Sequence, residues 1–75
     1  MELTIVRHEP KEGYFLCHEK DGTLHRVDLV VAGGPASKAL EADPKRYEGR
    51  KIRVEWLQAY LELAEGVVLL DEDKP

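Results

Sequence analysis

The chain of 75 residues has no asparagine and only one each of cysteine, methionine, glutamine, serine, tryptophan and phenylalanine. A lone Cys17 excludes an intramolecular disulfide and leaves no Cys-x-x-Cys spacing for a zinc site. No run approaches the 18 to 20 or so apolar residues that a membrane-spanning helix needs. The N-terminal Met1–Arg7 lacks the basic-then-apolar layout of a secretory leader, so a cytoplasmic location without a membrane partner is the expectation. So short a chain forms one domain with a small core, which must be stabilised by regular packing, a metal or self-association.

Charge is plentiful. Charged residues make up 35% of the chain, and with so few thermolabile residues this is a composition reported for hyperthermophilic proteins. The net charge of −4 is unevenly spread. Residues 1–44 sum to −3, residues 45–53 to +4 and residues 54–75 to −5. Overall acidity argues against a protein that coats nucleic acid indiscriminately, while the basic run permits a restricted anionic site.

Leu3 and Ile5, with Val6 able to join them, start a first strand that ends near Arg7 to Glu9, before Pro10 and Gly13. Tyr14–Glu19 reads as the second strand and Thr23–Val31 as the third, around an Asp21-Gly22 turn. Two registers fit this hairpin. A two-residue turn sets His18 opposite His25 and Leu16 opposite Val27. A turn on Glu19–Gly22 with Gly22 as a bulge sets Cys17 opposite His25 and Phe15 opposite Val27. One residue of slip exchanges the two faces of a strand, yet Val27, Leu29 and Val31 face the core in both. Gly33-Gly34 then ends the strand, and Pro35–Ala42 reads as a short helix that Pro44 stops. Its apolar stripe is Ala36, Ala39 and Leu40, with Ser37 expected at the surface. After a turn over Lys45–Tyr47 and Gly49, the alternation of Ile52, Val54 and Trp56 with Arg53 and Glu55 marks a half-buried strand. Residues 57–64 fit either a helix or a hairpin. The hairpin is preferred, with its turn at Ala64–Gly66, because so short a helix is marginal.

The Asp21-Gly22 hairpin, the helix 35–42 and the segment Tyr47-Glu48-Gly49-Arg50-Lys51-Ile52-Arg53-Val54 together resemble the OB-fold. This resemblance implies a mainly β, five-stranded Greek-key barrel, ordered β-β-β-α-β-β with one short helix between strands 3 and 4. The barrel would span residues 1–71, leaving 72–75 as a polar tail. The second and third strands lack the aromatics interleaved with lysines of oligonucleotide-binding members, and a fold alone does not give a function.

Several constellations bear on chemistry. Cys17 or His18 opposite His25 offers two metal ligands, fewer than a zinc site needs, so no cofactor or metal is expected. Cys17 as a nucleophile lacks an oxyanion site, and Gly33-Gly34-Pro35 lacks the lysine of a phosphate loop. The expectation is a non-enzymatic binding or assembly module, with a protein partner or self-association preferred. Its apolar centre would come from Leu57, Tyr60 or Leu61. The alternative is a single-stranded nucleic-acid-binding domain. It would use Arg26, Lys45, Arg46, Arg50, Lys51 and Arg53, with Tyr14, Trp56 and Tyr60 as stacking candidates. Trp56, in phase with Ile52 and Val54, reads better as core.

Overall fold

The turn at Asp21-Gly22 decides the register of the first hairpin. In a computed structural model of the chain, which describes residues 1–29, 32–58 and 61–70, the Glu19 N–H donates to Thr23 O at 2.8 Å and the Gly22 N–H to Glu19 O at 2.9 Å. Gly22 has φ +93°, a left-handed conformation suited to glycine. Asp21 accepts from the Thr23 N–H at 3.0 Å. This backbone bond, with a side-chain bond to the same residue, holds the Asp21 carboxyl below its ordinary value. Phe15 therefore lies opposite Val27 and Cys17 opposite His25. The bulged register is the one adopted, so His18 faces Leu24 rather than His25.

Strand β1 (Glu2–Glu9) pairs antiparallel with β2 (Tyr14–His18), which pairs with β3 (Leu24–Asp28). Strict alternation from Leu3 and Ile5 would turn Arg7 inward. A bulge after Ile5 prevents this, leaving Val6 unpaired and setting Arg7 opposite Leu16 on the outer face. His8 then takes the inner position, its ring 4.6 Å from that of Phe15. Val30, Val31, the Ala59–Tyr60 stretch and the tail expected over 72–75 lie outside the described residues.

Helix α1 spans Pro35–Ala42. Leu40 is buried against the barrel, and so is Ser37, contrary to the surface position expected of it. Its hydroxyl donates to Ala32 O at 3.3 Å, which satisfies it within the core boundary. A 3-10 turn over Pro44–Tyr47 follows. Gly49, at φ +83°, then reverses the chain so that its N–H donates to Ile5 O at 2.7 Å, while Ile5 N–H donates to Arg50 O at 2.9 Å. The glycine thus fixes where the next strand begins.

That strand, β4 (Lys51–Gln58), pairs antiparallel with β1 on one side and with β5 (Leu63–Leu69) on the other. The 57–64 region is therefore a hairpin, but it turns earlier than Ala64–Gly66. Gln58 already faces Leu63, and Ala64–Gly66 lies inside β5. Bulges around Trp56 absorb the extra residue, so both Ala64 and Val67 point inward. Strand β3 meets β5 in parallel at Asp28 and Leu63, completing a closed barrel in the order β1-β2-β3-β5-β4. The architecture is a mainly β, OB-like barrel with one short helix between β3 and β4. No helix among the described residues is long and apolar enough to cross a membrane.

Candidate binding surface

The sequence-predicted residues are spread over the inner face, the outer face and the ends of the barrel. On the inner face, Cys17 is wholly buried, and burial pushes its thiol up to about 12. It is packing material rather than a nucleophile, since the thiolate is the reactive form. His25 sits at the barrel end with Nε2 2.6 Å from Glu19 Oε2, Nδ1 3.8 Å from Glu62 Oε2 and its ring 6.3 Å from Trp56. His18, on the outer face, has Nδ1 2.8 Å from its neighbour's carbonyl, Glu19 O. Among the described residues no group of three or more His, Cys, Asp or Glu side chains is placed to hold a metal ion. Trp56 packs against the core, with an indole Nε1 that is buried and finds no acceptor among the described residues.

The basic candidates do not form one groove. Arg46 and Arg50 each stand 5.9 Å from the centre of the Tyr47 ring, near the 3-10 turn that also carries Lys45. Lys51 and Arg53 point outward from β4, where Arg53 is flanked by Glu2 across β1 and by Val68 across β5. Arg26 belongs to β3, which touches neither β1 nor β4 in the barrel order. Contiguity in sequence is lost because Lys45, Arg46 and Arg50 belong to the turn around Tyr47, Lys51 and Arg53 to the outer face of β4, and Arg26 to β3.

The structure instead assembles a different surface on the outer face of β2 and β3. Alternation turns Tyr14 and Leu16 of β2 outward, together with Leu24 and Arg26 of β3. The Arg26 guanidinium lies 5.7 Å over the Tyr14 ring, and its Nε is 3.6 Å from Glu62 Oε1. Glu62, at φ 58°, closes the β4–β5 turn onto this face. Its Oε2 accepts from the Arg26 N–H at 3.0 Å and its carbonyl accepts from the Asp28 N–H at 3.0 Å. Adjoining shallow hollows of about 350 and 330 Å3 share Tyr14, Arg26 and Glu62. Exposed leucines line them, Leu24 (61% exposed) the first and Leu61 (53%) the second, while Leu57 is exposed on β4.

Leu57 and Leu61 were expected at a contact surface, whereas Leu24 and Glu62 were not singled out. The signal for Leu24 lay in parity, since it is out of phase with Val27 and Leu29. Nothing local signals Glu62, whose partners are 36 residues away in sequence. Tyr60, the remaining stacking candidate, falls outside the described residues. Comparisons with protein-family models, with curated proteins and with solved structures found no match for this chain.

Proposed function

We propose that the protein is a non-enzymatic binding or assembly module whose contact surface is the outer β2–β3 face closed by the β4–β5 turn. The observation that carries this reading is the exposure of Leu24 and Leu61 around the Tyr14–Arg26 stack. An apolar centre with an aromatic and an arginine, rimmed by charge, has the anatomy of a protein–protein contact. A polyanion would need several cations in one track. This face offers Arg26, already engaged by Glu62. Two shallow hollows suit side chains of a partner better than a small substrate, which prefers an enclosing pocket.

A second copy of the chain is the simplest partner to test, because a domain of this size gains stability by association. Sedimentation up to about 1 mM protein should show a mass that rises with concentration. The double substitution Leu24→Asp, Leu61→Asp should abolish that rise while changing stability by about 0.5 kcal/mol or less, as expected of exposed sites. A species that stays monomeric throughout would remove the assembly form of the proposal.

A further inference from the structure

The outer face carries another concavity, which the contact surface does not use. It is a cleft of about 350 Å3 lined by Glu2, Leu3, Thr4, His18, Lys20 and Lys51. Its floor is a cross-strand row. Thr4 of β1 lies opposite Lys51 of β4 on one side and opposite His18 of β2 on the other. Adjacent strands are about 4.8 Å apart, so ammonium, hydroxyl and imidazole are gathered within roughly 10 Å. Lys20, two positions beyond His18, closes the rim.

The donors in this cleft are available. Among the described residues neither Lys20 nor Lys51 makes an ion pair. The carbonyl of Glu19 can only accept, so the 2.8 Å contact to His18 Nδ1 puts a hydrogen on that nitrogen and makes Nε2 an acceptor in the neutral ring, which leaves the two ammonium groups and the Thr4 hydroxyl as the donors. Glu2 is the opposing charge, and it stands opposite Arg53 in the β1–β4 register. Lys20 and Lys51 outnumber it among the lining residues of a chain whose net charge is −4.

The geometry points to a site for a terminal phosphate group. A row this short matches one tetrahedral oxyanion, whose three terminal oxygens accept from the lysines and the Thr4 hydroxyl. A nucleic-acid strand would need a longer cationic track and a stacking platform. Apart from the His18 ring, none of the lining side chains is aromatic. The site therefore selects a phosphate monoester or free phosphate over a phosphodiester.

The test is a chemical-shift titration of the whole chain at constant ionic strength, using inorganic phosphate, O-phosphoserine and dimethyl phosphate as probes. Phosphate and phosphoserine should shift the amides of Thr4, His18 and Lys51 with a Kd on the order of 1 mM. Dimethyl phosphate, with a single negative charge, should bind roughly tenfold more weakly. The outward-facing pair Lys20→Gln, Lys51→Gln should cost about tenfold or more in affinity, and Lys38→Gln, the same change on α1 outside the cleft lining, should leave it unchanged. If free phosphate alone binds, the site serves the ion, and if phosphoserine binds equally, it serves a monoester on a larger molecule. Shifts that fail to saturate by about 20 mM, that persist in the double glutamine variant, or that dimethyl phosphate reproduces equally would overturn the inference.

Discussion

Replacing Phe15 by alanine is expected to lower the melting temperature by roughly 15–30 °C. Phe15 is fully buried, lies opposite Val27 and stacks on His8, so it holds β1, β2 and β3 together. Large-to-small changes at such an aromatic cost about 3–5 kcal/mol, from lost transfer energy and the residual cavity. A typical stability of about 0.05–0.15 kcal/mol per residue gives this chain roughly 4–11 kcal/mol in all. The substitution therefore removes roughly a quarter or more of the total, which sets the size of that fall. Chemical denaturation monitored by far-ultraviolet circular dichroism measures this directly. Leu61→Ala, at an exposed position, should stay within about 0.5 kcal/mol of the parent. Equal effects from the two substitutions would mean that Phe15 does not sit in the core described.

The second large effect concerns the thiol of Cys17. In the folded chain its alkylation at about pH 8 should be more than 1,000-fold slower than in the denatured chain, because burial suppresses both access and ionisation. Labelling then proceeds only through opening, so Phe15→Ala should accelerate it in step with the loss of stability. The same burial gives a pH dependence. The folded-state value is raised to about 12 from an ordinary 9.0. The neutral thiol's contribution is thus fully present below pH 9 and is lost as pH rises from there towards 12. Over that window the unfolded chain ionises and the folded chain does not, a loss of about 1.4 kcal/mol per pH unit. Other groups titrate there too, so the comparison is with Cys17→Val, which packs similarly and cannot ionise. Its stability advantage over the parent should grow above about pH 9. Fast labelling of the native parent, or parallel curves for the two proteins, would contradict a buried Cys17.

The fold was legible where one local signal sufficed. Pro35 and Pro44 bracket α1 at the positions expected, and Ile52 and Val54 mark the inner face of β4. It was less legible where two local solutions were close in energy. The Asp21-Gly22 turn fits either register, and the choice places Phe15 and Cys17 rather than Leu16 in the core. Ala64-Glu65-Gly66 has turn composition, yet bulges around Trp56 let it continue as strand. Ser37 looked polar and exposed because its acceptor, the Ala32 carbonyl, belongs to the segment before the helix.

Sites proved harder to read than strands for the same reason. A run such as Lys45–Arg53 is conspicuous in a linear sequence, but Arg46 and Arg50 lie against Tyr47 while Lys51 and Arg53 leave along β4. The row of Lys51, Thr4 and His18 is invisible in sequence, since it depends on two separate strand registers. Glu62 reaches the β2–β3 face only because the barrel closes there through β3 and β5.

This barrel is proposed to meet its partner through the leucine-rimmed β2–β3 face, with Arg46, Arg50 and Arg53 forming no nucleic-acid track. Titration of labelled single-stranded DNA and RNA with the protein, at low and at moderate salt, tests it most directly. The expected result is no salt-sensitive binding at micromolar protein, and no change when Arg46, Arg50 and Arg53 are all replaced by glutamine. Micromolar binding that weakens steeply with salt and is lost in that triple variant would contradict the claim and assign the basic segment to nucleic acid.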